Sequence, residues 1–311
     1  MTTTTIDSAE PTNIWAGVFW KISSCALFAG INVLVRYLSG GSTLPVVAPL
    51  PVYMIMFFQS CLAVLFLLTM TVPNNSWQQL LTLRHGWLHF IRVTTAVAGI
   101  GVWYLSFQHM PLAEVVGLSF AGPALTIVGA VLILRERLTW QRIVTFTLST
   151  LGIFFISRPD LKLQDAVFNW IMLLPIIATA MFALDKIALR KLLAANENPL
   201  CTTILFMLFM AVASLLPCMA YGWVTPDLSH WPWLILLAAL GSMGHFSFSK
   251  AYHYAEVTTL IPFSMSKIIF CSLAGYLAFG EYPNSWETWL GIIILTSCTM
   301  VFKYKPEVRR L

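Results

Sequence analysis

The sequence predicts an all-α, polytopic membrane protein in which ten transmembrane helices form two inverted five-helix repeats. Three observations lead to this fold class: an apolar composition, ten long apolar runs, and a similarity between the two halves. Of the 311 residues 58% are hydrophobic and 10% are charged, and the mean hydropathy is +0.79, whereas a soluble domain has about 25% charged residues. The net charge of +5 is spread between apolar runs, which fits membrane topology better than nucleic-acid binding.

Ten apolar runs have the length of about 20 residues that a helix needs to cross the hydrocarbon of a bilayer. Helices are the expected spanning element because lipid offers no partner for an unpaired backbone group. The predicted spans are 15–38, 50–72, 88–108, 112–134, 140–157, 168–190, 199–222, 231–250, 256–279 and 286–303.

The distribution of basic residues predicts that both termini are cytoplasmic. In that orientation the external loops hold only Arg158 and Lys162. Residues 1–13 contain no Lys or Arg, so they lack the basic start of a secretory signal and are expected to form a short disordered cytoplasmic tail. The cytoplasmic basic residues are Arg84, Arg92, Arg135, Arg137, Arg142, Lys186, Arg190, Lys191, Lys250, Lys303, Lys305, Arg309 and Arg310.

An internal repeat divides the chain into residues 14–160 and 161–311. ALFAGINVLVRYL at 26–38 resembles AMFALDKIALRKL at 180–192, and AEVVGL at Ala113 resembles AEVTTL at Ala255. Glu136 and Glu281 close the same two spans that the second pair opens. Five spans per repeat is an odd number, so the second repeat is expected to run through the membrane opposite to the first. Secondary transporters often have this build, with substrate sites near the midplane.

Lys267 is the most unusual charge in the predicted spans. It lies eleven residues after Glu256 and fourteen before Glu281, which places it about 16 Å from the nearer end of a helix. A charge at that depth is expensive and indicates a functional site; the alternative is an ion pair that only fixes helix packing. The aligned region of the first repeat, around Gly122 and Pro123, has no charge.

Two segments resemble the drug/metabolite transporter superfamily, and within it the EamA-type ten-helix transporters. They are PALTIVGAVLILRERLTW at 123–140 and the stretch from Ala255 to Glu281 with its IPFS and AFGE motifs. The resemblance implies secondary transport of small organic solutes through a cavity lined by the third, fourth, eighth and ninth spans, with contributions from the first and sixth. Arg135 stands where the family usually has Gly before the Glu, so the end of the fourth helix is expected to bend less.

Shorter motifs, RERLTWQR at 135–142, HFIR at 89–92, LGSMG at 240–244 and the FALDKIALRKL turn, resemble the subgroup that contains bacterial S-adenosylmethionine transporters. The substrate is therefore expected to be amino-acid-like or nucleoside-like. The alternatives are an exporter of amino acids or drugs in the same superfamily and, from a different class, an integral-membrane enzyme. No cofactor or metal is expected, and no GxxxxGK[ST] motif for ATP is present.

Several residues of the predicted spans are candidates for substrate binding. Asp185 is interpreted as the counter-ion of Lys267, as a proton site, or as the partner of a cationic substrate group; the alternative is a pairing with the basic end of its own helix. Lys21 is expected to snorkel to the interface or to join the site, while Arg190 is expected to anchor at the interface. Gly99 and Gly244 are expected at close helix contacts. The predicted substrate-binding set is Lys267, Asp185, Trp103, Tyr104, Phe107, Phe246, Glu114 and His245, with Phe248 as a further aromatic candidate.

Each candidate has a reason and an alternative. The aromatic residues lie on spans that the family uses for its cavity, where they would stack on a flat base or face a cationic group. Glu114 either titrates at the external mouth or is held by the dipole of its helix. His245, midway along the eighth span, either packs or relays protons. The expected partners are a small-molecule substrate, the bilayer, and a coupling proton or counter-substrate.

Overall fold

A computed structural model describes residues 13–40, 48–71, 85–109, 121–136, 173–264 and 266–279, with single positions at 140, 143, 144, 147, 151 and 171. These ranges are helical, joined by turns, with no β-strand among them. The helices are α1 Ile14–Leu38, α2 Val52–Thr71, α3 Gly86–His109, α4 Ala121–Leu134, α5 Leu173–Ala194, α6 Pro199–Tyr221, α7 Trp231–Tyr254, α8 Val257–Ser264 and α9 Ser266–Phe279.

The starts of the long helices follow from local capping. Asn13 caps α1 by accepting a hydrogen bond of 3.1 Å from the backbone N–H of Ala16. Asn198 caps α6 in the same way, with Leu200 as the donor at 2.9 Å. Pro199 then takes the first helical position, where its missing N–H costs nothing. Both caps lie at predicted span boundaries.

Four described segments are long and apolar enough to cross a membrane: Ile14–Val35, Val52–Met70, Pro199–Tyr221 and Leu228–Tyr254. Helices α3 and α5 have comparable lengths of 24 and 22 residues but carry charges. The predicted fifth span, 140–157, is described only at five positions, and the tenth, 286–303, lies outside the described residues. The all-helical class is therefore confirmed, while the number of ten spans stays a prediction.

The main helix contacts cross between the two halves of the chain. Helix α1 packs most extensively on α7, α3 on α5, and α2 on α6. A two-fold axis relating the two repeats would convert the pair of α1 and α7 into the pair of α5 and α3. It would map the pair of α2 and α6 onto itself. Repeat-related rings behave in the same way, because Phe28 packs on Gly244 and Phe182 packs on Gly99.

Gly99 is confirmed as a close contact between α3 and α5. A Cβ added to it would lie 2.8 Å from Cε1 of Phe182, closer than carbon atoms can pack. The corresponding distance from Gly244 to Phe28 is 3.4 Å, an ordinary contact. A side chain at position 99 would therefore push α3 and α5 apart, whereas a Cβ at position 244 would fit without a shift of Phe28.

Charged side chains hold the junction between α7 and α8. The Glu136 carboxylate accepts hydrogen bonds from the backbone N–H groups of Val257 and Thr258, both at 3.0 Å, and from the Thr258 hydroxyl at 2.7 Å. Arg190 donates to the backbone carbonyls of Tyr252 and His253 at the end of α7. The expectation that Arg190 anchors at the interface was wrong, since its side chain is buried and binds helix-terminal carbonyls.

The end of α4 also differs from the expectation. Arg135 has φ +55°, in the left-handed region that favours glycine. The N–H of Glu136 then donates to the carbonyl of Ala130 at 3.3 Å. The chain therefore turns sharply despite the arginine, since this turn brings Glu136 to the start of α8.

Candidate functional site

A buried ion pair joins α3 to α5. Nε of Arg92 lies 3.3 Å from Oδ1 of Asp185, and the two side chains are 2% and 16% exposed. Arg92 also donates from Nη1 to the backbone carbonyl of Thr202 in α6 at 3.0 Å. Its guanidinium carbon lies 4.5 Å from the ring centroid of Phe206. Arg92 is therefore held by an ion pair, a carbonyl and an aromatic face.

This pairing corrects two interpretations of the sequence. Arg92 was counted with the cytoplasmic charges, but it lies about 9 Å along α3 from Gly86 and is buried. Asp185 pairs with Arg92 rather than with Lys267 or the basic end of its own helix. The sequence feature that could have shown Arg92 to be buried is its position inside the predicted third span. No sequence feature pointed to its partner, which lies 93 positions further along the chain.

Three aromatic rings from three helices form a continuous series beside this ion pair. We call Phe28 of α1, His245 of α7 and Phe206 of α6 the ring series. The centroids of Phe28 and His245 are 4.9 Å apart, and those of His245 and Phe206 are 5.3 Å apart, within the range of favourable aromatic contacts. His245 is thus the middle member of the ring series.

Lys267 lies at the end of the ring series opposite to Arg92. Its Nζ is 5.7 Å from the ring centroid of Phe28, within reach of a cation–π contact. The side chain is exposed although the residue lies within a predicted span, where lipid would not solvate an ammonium group.

A second cation lies deep between α1 and α7. Nζ of Lys21 is 4.3 Å from the ring centroid of Phe248 and 3.5 Å from the hydroxyl oxygen of Tyr252. The side chain is 3% exposed, so Lys21 does not snorkel to the interface. Phe248 continues toward the ring series, with 6.1 Å between its centroid and that of Phe28.

The remaining predicted candidates divide into two groups. Phe246 contacts Trp20, at 6.1 Å between centroids, and Lys250, whose Nζ is 5.7 Å from its ring. It also packs against the buried cluster that contains Phe206. The side chains of Trp103, Tyr104 and Phe107 on α3, and the whole of Glu114, lie outside the described residues. Phe28 and Phe206 were missed because nothing distinguishes them in sequence from phenylalanines that only pack.

The arrangement suits recognition of an organic molecule. Aromatic rings offer faces for a flat ring system, and Lys267 at one end of the series offers charge. Within the described ranges no group of three His, Cys, Asp or Glu side chains is placed to hold a metal ion. Apolar helices that enclose buried charges and rings in this way are typical of small-molecule transporters.

The family is shown by comparison with known proteins. Residues 15–158 and residues 169–303 both match the EamA-like transporter family. The chain therefore belongs to this family of multi-pass membrane transporters. It is a transporter of small molecules and not an enzyme.

Curated relatives of similar length carry two substrate names. The chain is 26% identical over 284 residues to a riboflavin transporter of Brucella anthropi, covering 90% of this chain and 95% of the relative. It is 26% identical to a riboflavin transporter of Vibrio cholerae, over 94% and 95% of the two chains. It is 24% identical to an S-adenosylmethionine uptake transporter of Rickettsia bellii, over 94% of each chain.

The fold is similar to that of a solved crystal structure. The TM-score is 0.69, and the match covers 89% of this chain and 95% of the other. The two sequences are 14% identical, so this likeness concerns the fold alone.

Proposed function

We propose that this protein is a secondary transporter that carries a small metabolite with a flat heteroaromatic ring across the bacterial inner membrane by alternating access. S-adenosylmethionine and riboflavin are the first candidates, because relatives bear these names. Both molecules join a fused ring system to a polar chain. The family alone would also fit other small solutes.

The observation that supports a flat substrate is the ring series. Phe28, His245 and Phe206 come from three helices, and their centroids are spaced by 4.9 and 5.3 Å. A planar ligand that contacts Phe28 and His245 would gain stacking or edge contacts of the kind that bind bases to proteins. Lys267 lies beside this position, so the polar chain of the ligand would be directed toward it.

Alternating access is supported by the two-repeat organisation. The family matches twice along the chain, and the main helix pairs, α1 with α7 and α3 with α5, join one half to the other. Rocking of the repeats 14–160 and 161–311 against each other would expose the ring series to each side in turn. The proposed topology has both termini in the cytoplasm.

Counterflow in liposomes tests the proposal. Purified protein is reconstituted with unlabelled S-adenosylmethionine or riboflavin inside, and entry of the labelled compound is measured with and without a proton gradient. We expect saturable exchange for at least one of the two compounds. A dependence on internal substrate would identify exchange, and a dependence on the gradient would identify proton coupling. Absence of exchange for both compounds in folded protein would refute the proposed substrate class.

A matched pair of variants tests the role of the ring series. Phe28→Leu removes the ring beside His245, so we expect KM for the transported compound to rise about tenfold. Phe182→Leu changes the repeat-related ring, which packs on Gly99, and is expected to change KM less than about twofold. Equal effects of the two variants on KM would count against a substrate at Phe28.

A further inference from the structure

Three lysines from three helices lie close to one another beside the ring series. They are Lys21 on α1, Lys186 on α5 and Lys267 on α9. Lys21 interacts electrostatically with both Lys186 and Lys267, and Lys186 with Lys267. We call these residues the lysine triad. Like charges repel at short range, so the arrangement needs something that compensates it.

In the described part of the chain, Lys21 and Lys267 have polar or aromatic contacts. Lys21 donates to the hydroxyl of Tyr252 at 3.5 Å and lies over the Phe248 ring. Lys267 lies beside the Phe28 ring. These contacts reduce the cost of a buried cation without neutralising it.

Three carboxylates of the described residues have other partners, although Asp185 also attracts Lys186 electrostatically. Asp185 pairs with Arg92. Glu197 pairs with His85 at 3.0 Å and with His89 at 2.7 Å. Glu136 accepts hydrogen bonds from the start of α8. Within the part of the chain that the structure describes, no ion pair reaches a lysine of the triad.

The position of the triad relative to the rings indicates a ligand. Phe28 and Phe248 are 6.1 Å apart, with Lys267 beside the first ring and Lys21 over the second. A molecule seated on Phe28 and His245 would therefore place an attached group between Lys21 and Lys267. Uncompensated cations in a membrane span are a marker of ligand or ion pathways.

We propose that the lysine triad binds an anionic group of the transported molecule, a carboxylate or a phosphate monoester. This inference rests on the proposed function and restricts it. A phosphorylated ring compound fits the triad, whereas S-adenosylmethionine offers a carboxylate but also brings an ammonium and a sulfonium cation that the lysines would repel. An uncharged compound such as riboflavin leaves the three cations without a counter-charge.

Inorganic phosphate is a direct probe that requires no transport. The melting temperature of the detergent-purified protein is measured against phosphate concentration, with chloride keeping the ionic strength constant. We expect phosphate to raise the melting temperature in a saturable way, because it binds the folded state. No difference between phosphate and chloride would overturn the proposal.

Matched variants locate the effect. Lys21→Met, Lys186→Met and Lys267→Met should each weaken apparent phosphate binding about tenfold. Lys21→Met and Lys267→Met should do so without lowering the melting temperature in chloride, because each removes a charge that has no ionic partner in the described part of the chain, whereas Lys186→Met also removes an attraction to Asp185. Lys191→Met, which changes a basic residue in the last turn of α5, is the control and should bind phosphate like the parent. An equal loss in Lys191→Met would overturn the assignment to the triad.

Pairs of compounds that differ by one anionic group test the substrate itself. Riboflavin is compared with riboflavin 5′-phosphate, and adenosine with adenosine 5′-monophosphate, as ligands in the same thermal assay. We expect the phosphorylated member to bind at least about tenfold more tightly, and only while the triad is intact. Equal binding of both members would overturn the inference while leaving the proposed ring site in place.

A lipid headgroup offers the same phosphate chemistry from another source. The titration is therefore repeated in micelles with and without phosphatidylglycerol. Stabilisation by soluble phosphate without the lipid supports a substrate group. Stabilisation by the lipid alone, lost in the triad variants, would overturn the substrate assignment.

The counterflow and phosphate experiments can also fail separately. If counterflow fails while phosphate binds, the proposed substrates are rejected but the anion site is retained.

Discussion

Arg92 lies at one end of the ring series and Lys21 and Lys267 lie toward the other, and in the described part of the chain they differ in what holds them. Arg92 has a carboxylate, a backbone carbonyl and an aromatic face. Lys21 has a hydroxyl and aromatic faces, and Lys267 has one aromatic face. A buried charge with all its partners supplied by the protein has little to offer a ligand. A charge with partners still missing is better suited to bind one.

The largest effect is expected where a fully paired charge is broken. Arg92→Met leaves Asp185 buried without its counter-ion, so we expect the free energy of unfolding to fall by about 3–5 kcal/mol. Thermal or chemical unfolding in detergent measures this loss.

A double variant sharpens the comparison. In Arg92→Met/Asp185→Leu both charges are gone, and stability should return to within about 1 kcal/mol of the parent. Its KM is expected to stay within about threefold of the parent value, because the pair fixes helices rather than substrate. A KM raised as much as in the triad variants would show that the distinction between paired and unpaired charges is wrong.

A smaller effect is expected at Glu136, another charge whose partners are all within the protein. Glu136→Ala removes the acceptor for two N–H groups at the start of α8, so it should cost about 1–2 kcal/mol of unfolding free energy. Substrate affinity should be unchanged if the α8 start only supports the fold. A tenfold change in KM without a loss of stability would contradict this role.

The smallest effect, with the opposite sign, is expected at Arg135. Its φ of +55° is unfavourable for a residue with a side chain, so Arg135→Gly should raise stability by about 1 kcal/mol. Counterflow should stay at the parent rate. A loss of stability would indicate that the arginine side chain holds the turn, and Arg135→Ala, which keeps the strain but shortens the side chain, separates the two contributions.

The broad features of the protein follow from the sequence because they depend on composition and periodicity. Apolar run lengths gave the helices, and the match between 26–38 and 180–192 anticipated the exchangeable packing of Phe28 and Phe182. Lys267 was noticeable because a charge in an apolar run is costly wherever it points. Its neighbours were not predictable in the same way, since they depend on how distant helices rotate against each other.

The pairing of Asp185 shows this limit clearly. Its neighbours in sequence, Lys186 and Arg190, offered local partners, but Arg92 on another helix took that place. Similarly, Arg135 was expected to reduce the bend at the end of α4, whereas the contact of Glu136 with α8 outweighs the local preference. Contacts between distant helices therefore determined both the partner of Asp185 and the backbone turn at Arg135, although the neighbouring residues in sequence favoured other arrangements.

The 93 residues between Arg92 and Asp185 also have a consequence for biosynthesis. At translation rates of about 5–20 residues per second, the ribosome adds Arg92 about 5–20 s before it adds Asp185. During that interval Arg92 has no carboxylate from the second half of the chain. The nascent first half must therefore keep this arginine solvated, at the membrane surface or beside the translocation machinery, until the second half arrives.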